Sequence, residues 1–151
     1  MIFFLVGMPC AGKTHFGAAF AAAQNCDFVD LDAEIERLQS RTITDIFTKN
    51  GELAFREIER STLQNLDLSL PKVIATGGGA PCFSDNMSLM RTRGTVLWLD
   101  PKRYILLQRL SANTAHRPLF HNLNPLDLAE KVSELYEKRK FFYAQAHFRC
   151  T

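Results

Sequence analysis

The chain contains one eight-residue motif whose residue types suit phosphate chemistry. Residues 7–14 read GMPCAGKT and match G-x-x-x-x-G-K-[ST] at every defined position. Gly7 and Gly12 allow backbone conformations that a side chain would block, so that amide N–H groups converge on phosphate oxygens. Lys13 brings a positive charge to the outer phosphates, and the Thr14 hydroxyl suits Mg²⁺. An apolar run precedes the motif and a helix-like run follows it, which favours a phosphate-binding loop over a chance glycine turn.

Two acidic residues follow the second predicted strand. Asp30 and Asp32 come directly after the run at 27–29, and residues spaced i, i+2 project to the same side while a strand persists. In an open α/β sheet, ligands bind at the carboxyl ends of the strands. The alternative is a helix N-cap, for which Asp32 is suited. Capping accounts for one Asp but not for both, so the pair is a candidate site.

Three consecutive glycines, Gly77, Gly78 and Gly79, follow the third predicted strand. Each glycine loses much backbone entropy on ordering, and a tight turn needs only one or two of them. A run of three is expected where a ligand lies against bare backbone.

Two arginines lie one turn apart on a helix predicted at about 52–66. By spacing alone, Arg56 and Arg60 together with Glu52, Glu57 and Glu59 look like an ordinary solvated face. The spacing therefore favours a structural interpretation of these charges.

The polar stretch at about 111–125 is long for a loop inside a compact domain, and such loops are usually functional, often as lids. Arg117 lies in it, stiffened by Pro118. His116 and His121 have no nearby carboxylate or cysteine in the sequence, which favours solvated loop histidines over a metal site.

Length and composition limit the class of protein. We expect 151 residues to form a single domain. A net charge of +2 is too small to indicate a nucleic-acid partner. The four cysteines form no C-x-x-C pair, so neither zinc nor a disulfide framework is indicated. No run is long enough for a membrane span, and the N-terminus lacks the features of a signal peptide. A nucleotide-binding motif also indicates a reducing cytoplasm.

Strands and helices alternate along the chain, which predicts a parallel sheet covered on both faces. The predicted strands are 2–6, 27–29, 72–75 and 95–99, with a fifth opening near 148. The predicted helices are 13–24, 33–39, 43–49, 52–66, 84–92, a segment ending at Leu110, and 126–146.

Several stretches of the chain form one combined pattern: GMPCAGKT, FVDLD at 28–32, NGELAFREIE at 50–59, VIATGGGA at 73–80, RPL at 117–119, and Arg139 with Tyr143 and Ala146. Through this pattern, and over nearly its whole length, the chain resembles the shikimate kinases. The resemblance implies a three-layer α/β P-loop kinase fold with strand order 2-3-1-4-5 and a short or incomplete fifth strand. The implied activity is Mg²⁺-dependent transfer of the ATP γ-phosphoryl group to the 3-hydroxyl of shikimate, a step of chorismate and aromatic amino acid biosynthesis.

The resemblance also implies a role for individual residues. Arg56 and Arg139 hold the shikimate carboxylate, which replaces the solvated-face interpretation of Arg56. Asp32 binds the substrate hydroxyls and accepts the reacting proton, Arg117 closes on the transferring phosphate, and Arg109 stacks on adenine. The implied catalytic residues are Lys13, Asp32 and Arg117; the ATP-binding residues are Gly7, Ala11, Gly12, Lys13, Thr14, His15, Arg109 and Arg117; the substrate-binding residues are Asp32, Arg56, Gly77, Gly78, Gly79 and Arg139; the metal ligands are Thr14 directly and Asp30 through water.

Two alternatives stay open at this point. One is another small-molecule kinase, such as a gluconate kinase; the other is a non-catalytic nucleotide- or shikimate-binding protein.

Shikimate kinases usually continue past the position of residue 148 with a complete strand, an adenine-contacting loop and a closing helix. The resemblance therefore implies weaker ATP binding here and less preference for ATP over GTP. We expect a cytoplasmic monomer with ATP and shikimate as partners, and neither nucleic acid nor membrane.

Overall fold

The computed structural model describes residues 1–113 and 120–151. The strands are β1 Ile2–Val6, β2 Asp27–Asp30, β3 Lys72–Ala75, β4 Thr95–Leu99 and β5 Phe148–Cys150. The helices are α1 Lys13–Ala23, α2 Leu31–Gln39, α3 Ile43–Asn65, α4 Asn86–Arg93, α5 Arg103–Ala112 and α6 Pro125–Tyr143, with a short 3₁₀ turn at Ala80–Cys82. Within the described ranges, no helix is long and apolar enough to cross a membrane.

The described strands form one parallel sheet in the order β2-β3-β1-β4-β5. This confirms the expected order and the short fifth strand, which has three residues. In the centre of the sheet, Phe4 lies opposite Ile74 on one side and Val96 on the other. All three are fully buried, as expected for a parallel sheet covered on both faces. The phosphate loop, Asp30 and the three glycines consequently meet at one edge of the sheet.

The core is divided by the sheet into two unequal layers, because successive side chains of a strand point to opposite faces. Phe4 and Val6 belong to a large cluster that includes apolar residues of α2 to α6. Leu5 belongs to a smaller cluster with Ala21 of α1. A Cβ at Gly17 would lie 2.6 Å from the Phe28 ring, so α1 packs very close to the sheet.

Helix α2 begins two residues earlier than predicted, and its cap is a different residue. The Asp30 Oδ1 accepts hydrogen bonds from the N–H groups of Asp32 (3.1 Å) and Ala33 (3.4 Å). Asp30 therefore satisfies two of the free amides that open a helix, and the strand ends there. The alternative in which Asp32 caps the helix is therefore wrong, and Asp32 lies in the first turn of α2 rather than on the strand.

Helix α3 contains the predicted interruption. Gly51 has φ 85° and ψ 172°, so the segment is two helices joined at a kink, as the Asn50-Gly51 pair indicates. The phenyl rings of Phe47 and Phe55, one on each side of the kink, lie 4.7 Å apart between centroids. Thr42 caps the first half by accepting a hydrogen bond from Asp45 N (3.1 Å). Elsewhere α4 begins at Asn86, and α6 ends three residues earlier than predicted.

We expect Arg93→Ala to lower the free energy of unfolding by about 1.5–3 kcal/mol, the range for hydrogen bonds made by a charged group. The Arg93 guanidinium donates to the carbonyl oxygens of Leu63, Gln64 and Leu66, which end α3 without helical partners. Urea unfolding measures the change. Arg91→Ala is the matched control, since Arg91 is exposed in the same helical turn. Equal losses in both variants would contradict the capping role.

Candidate functional site

Two cavities open at the carboxyl edge of the sheet and share a wall. The phosphate-loop cavity has a volume of about 430 Å³ and the arginine cavity about 530 Å³. The residues that line both are Pro9, Cys10, Asp32, Gly77, Gly78 and Asn113. A group bound in one cavity therefore lies next to a group bound in the other.

The phosphate loop has the backbone geometry that its glycines predict. Gly7 and Gly12 have φ of 144° and 97°. A Cβ at Gly7 would lie 2.4 Å from the Leu99 carbonyl oxygen, so the loop rests directly on the end of β4. The Lys13 ammonium donates to the carbonyl oxygens of Gly7 (2.8 Å) and Met8 (2.9 Å). The Lys13 ammonium is therefore held within the loop that is predicted to bind phosphate.

Other predicted nucleotide residues differ in how directly they reach the phosphate-loop cavity. His15 and Arg109 line it together with Gly12. Arg109 comes from the last turn of α5, and its Nη1 donates to the Cys10 carbonyl (3.1 Å). Gly7 and Ala11 are not among the lining residues of this cavity. The N–H of Ala11 donates to the Met8 carbonyl, so this part of the loop is internally bonded.

The predicted metal ligands lie side by side. Thr14 Oγ1 donates to Asp30 Oδ2 at 2.8 Å, and both residues line the phosphate-loop cavity. A hydroxyl and a carboxylate are hard oxygen donors, which Mg²⁺ prefers, and Mg²⁺ usually takes its other ligands from phosphates and water. Within the described ranges no three His, Cys, Asp or Glu side chains form a metal cluster. The pair therefore fits a cation that is shared with a nucleotide.

The arginine cavity is built from α3 and α6. Arg56 Nη1 pairs with Glu59 Oε2 at 2.8 Å, and its Nη2 lies 3.5 Å from Glu52 Oε1. The Arg56 side chain is 12% exposed, and Arg139 of α6 is 8% exposed. Two largely buried guanidinium groups on one cavity suit a carboxylate, which a planar fork can bind through two oxygens.

The solvated-face interpretation of α3 is therefore wrong for part of the helix. Glu59 is fully buried and Arg56 nearly so, whereas Arg60 pairs with Asp85 at the surface. Phe55, Glu59, Thr62 and Leu63 are the buried residues of this half of α3. Glu59 was missed as a site residue, although its position one turn after Phe55 on the apolar face is a signal that points to it.

The three glycines explain how these charges come so close together. A Cβ at any of them would meet a charged side chain: Glu59 Oε1 (2.9 Å) and Asp32 Oδ1 (3.1 Å) at Gly77, Arg139 Nη1 (3.0 Å) beside Pro9 Cδ (2.9 Å) at Gly78, and Arg56 Nη2 (2.2 Å) at Gly79. A larger residue at any of these positions would displace one of these side chains. The prediction that bare backbone is needed here agrees with this geometry.

Burial dominates the electrostatics of Glu59. Removal from water raises its pKa to about 7, and the nearby carboxylate of Asp32 acts in the same direction. Arg56 and Arg139 act in the opposite direction. Glu59 Oε1 accepts no hydrogen bond from any described residue. The cavity therefore contains a carboxyl group that titrates near neutral pH and has a free acceptor.

The predicted lid is only partly described. Arg117 and the RPL motif lie outside the described residues. The described residues on the two sides of that stretch, Asn113 and Phe120, both line the arginine cavity.

The chain matches the family model described as shikimate kinase over residues 9–151. It belongs to the shikimate kinase family. The shikimate kinase of Bacteroides thetaiotaomicron is 40% identical over 145 residues, which cover 96% of this chain and 83% of that protein. The shikimate kinase of Persephonella marina is 37% identical over 148 residues, which cover 98% of this chain and 87% of that protein.

Solved structures agree with this assignment. The crystal structure of the Bacteroides thetaiotaomicron shikimate kinase has a TM-score of 0.93 at 39% identity, covering 99% of this chain and 85% of that one. The Acinetobacter baumannii shikimate kinase in complex with shikimate has a TM-score of 0.91 at 36% identity, covering 99% and 82%. Family membership confirms the resemblance and favours it over the gluconate kinase alternative.

We expect folding stability to depend on the titration of Glu59. The folded protein keeps this proton up to a pKa of about 7, whereas the reference value is 4.5. Between these values the folded state binds more protons than the unfolded state, so its stability falls as the pH rises. Relative to Glu59→Gln, the wild type should lose up to about 3 kcal/mol of unfolding free energy between about pH 5 and about pH 8.

Urea unfolding of both proteins at several pH values measures this difference. Glu57→Gln is the control, because Glu57 is exposed on the same helix. A difference between wild type and Glu59→Gln that stays constant with pH would show that Glu59 does not titrate in this range.

Proposed function

We propose that this chain catalyses Mg²⁺-dependent transfer of the ATP γ-phosphoryl group to the 3-hydroxyl of shikimate. The observation that carries the proposal is the position of Asp32, which lines both cavities at their common wall. A phosphate-binding loop lies on one side of this carboxylate and a pair of arginines on the other. A hydroxyl of an anionic acceptor held by the arginines would therefore lie next to the phosphate to be transferred.

On the nucleotide side, the loop amides and Lys13 bind the β- and γ-phosphates, with Gly7, Ala11 and Gly12 shaping the backbone. Thr14 directly and Asp30 through water would hold Mg²⁺, which would neutralise charge on the phosphate oxygens. His15 and Arg109 contact the remainder of the nucleotide from the same cavity. Support comes from the 2.8 Å contact between Thr14 and Asp30 and from the position of Arg109 above the loop.

On the acceptor side, Arg56 and Arg139 bind the shikimate carboxylate, and the backbone of residues 77–79 forms the floor beneath it. Glu59 holds Arg56 in place through their 2.8 Å ion pair. Since both guanidinium groups are largely buried before any substrate binds, little reorganisation is needed to receive an anion.

Asp32 acts as the general base. It accepts the proton of the 3-hydroxyl while the new oxygen–phosphorus bond forms and the bond from the γ-phosphorus to the β–γ bridging oxygen breaks, leaving ADP. Lys13 stabilises the charge on the phosphoryl oxygens, and the family resemblance adds Arg117 from a lid at about 111–125. Such transfers depend on positioning and charge neutralisation more than on covalent chemistry.

We further infer that the chain acts as a cytoplasmic monomer of one domain, with ATP and shikimate as its substrates. This inference rests on the family resemblance and on the presence of both halves of the site in one protomer. Sedimentation of the purified protein with and without substrates measures the oligomeric state, and a stable dimer would contradict this inference.

Release of ADP with shikimate or with gluconate as acceptor tests the proposed function. We expect turnover with shikimate alone. Asp32→Asn should lower kcat by roughly 10²- to 10⁴-fold, the usual contribution of a general base. Asp27→Asn is the control, because Asp27 lies exposed at the opposite end of β2. Shikimate binding without turnover would instead support the non-catalytic alternative.

The carboxylate clamp is tested by Arg56→Ala. Removing one guanidinium from a largely buried charge pair should weaken shikimate binding by roughly 2–5 kcal/mol and leave ATP binding nearly unchanged. Steady-state KM values for both substrates measure this. Arg60→Ala is the matched control, since Arg60 lies one turn further along α3 and pairs with Asp85 at the surface. Equal weakening of both substrates in Arg56→Ala would refute the clamp.

A further inference from the structure

One buried hydroxyl from α6 is bonded to the glycine backbone of the site. The Tyr143 hydroxyl donates to the Gly78 carbonyl oxygen at 2.6 Å, across 65 residues of sequence. Tyr143 is fully buried, and its ring lies 5.8 Å from that of Trp98. Burial raises the pKa of Tyr143, with Arg139 acting in the opposite direction, so the hydroxyl keeps its proton at neutral pH and remains a donor.

The hydrogen bond to the Gly78 carbonyl also fixes the direction of the next N–H group, which belongs to a residue of the arginine cavity. The Gly78 carbonyl and the Gly79 N–H belong to one trans peptide, so they point in opposite directions. With the oxygen held by Tyr143, the Gly79 N–H is turned away from Tyr143. The N–H groups of Gly78 and Gly79 donate no hydrogen bond to any described residue, and both glycines line the arginine cavity. The Gly79 N–H is thus available to donate a hydrogen bond to a ligand in the arginine cavity.

The same helix positions one of the two arginines. Arg139 precedes Tyr143 by four residues, so both side chains lie on one face of α6, and both are buried. A Cβ at Gly78 would lie 3.0 Å from Arg139 Nη1, so the guanidinium lies directly against this glycine. One turn of α6 therefore fixes both the position of the Arg139 guanidinium and the direction of the Gly78–Gly79 peptide.

We propose that Tyr143 is a positioning residue, whose hydroxyl orients the Gly78–Gly79 peptide so that the Gly79 N–H donates to the anionic group bound between Arg56 and Arg139. The proposal rests on the proposed function, in which that group is the carboxylate of shikimate. Tyr143 does not touch the substrate. It acts through the backbone, and its removal affects the acceptor rather than the nucleotide.

Tyr143→Phe tests this with the ring kept in the core. Calorimetric titration should show shikimate binding weakened roughly three- to tenfold, the range for one hydrogen bond, with the ADP affinity unchanged. Tyr136→Phe is the matched control. Tyr136 also lies on α6 and near Trp98 (6.5 Å between ring centroids), but its hydroxyl donates to Asp100 Oδ2 (3.1 Å). This control should bind shikimate as tightly as the wild type.

Unchanged shikimate affinity in Tyr143→Phe, or equal weakening of shikimate and ADP, would overturn the proposal. A wild type that binds shikimate but does not phosphorylate it would refute the proposed function and leave this comparison valid. A wild type that binds no shikimate overturns both.

A second measurement needs no variant, and it tests the Gly79 amide as a donor to the ligand even if Tyr143→Phe does not fold. In wild-type protein labelled with ¹⁵N-glycine, shikimate should shift the Gly79 amide resonance, whereas ADP alone should not. A Gly79 amide that does not respond to shikimate overturns the proposal.

Discussion

The arrangement of the arginine cavity depends on the close approach of charged side chains to the bare backbone of residues 77–79. At Gly79 the Arg56 guanidinium occupies the space that a Cβ would need, at 2.2 Å. The backbone of this loop is in turn fixed from both sides, by β3 and by the Tyr143 hydroxyl. Glycine costs conformational entropy on folding. A Cβ at these positions would force the Glu59, Arg139 or Arg56 side chain to shift, so the glycines allow the charges to lie where they do.

The electrostatic balance of the cavity follows from this packing. Two guanidinium groups in a buried site lose hydration, and Glu59, which pairs with Arg56 at 2.8 Å, supplies a counter-charge when it is ionised. The carboxyl group itself is destabilised as an anion by burial and by Asp32, so it titrates near neutral pH. The ionised Glu59 is thus a counter-charge for Arg56, and in the proposed clamp a bound anion would supply a second negative charge.

The backbone conformations at single residues were more predictable from the sequence than the contacts between distant elements. The positive φ of Gly7, Gly12 and Gly51 follows from the residue type at each turn. Strand order was expected from the family resemblance alone, because hydrophobic periodicity does not specify which strands become neighbours. Helical spacing placed Arg56 and Glu59 on one face but did not reveal that the cavity and the glycine loop cover that face. Whether a charged helix face is buried or exposed to solvent depends on the elements that pack against it.

Asp30, which ends β2, and Asp32, which follows it in α2, differ in their bonding because both oxygens of Asp30 are occupied by the protein. Its Oδ1 caps α2 through the amide of Asp32, and its Oδ2 accepts from Thr14 in the phosphate loop. This bonding ends the strand at Asp30 and places Asp32 in the first turn of α2. There the positive end of the helix favours a negative charge. The same capping bond therefore also places Asp32 at the wall between the two cavities, where the proposed reaction would need a proton acceptor.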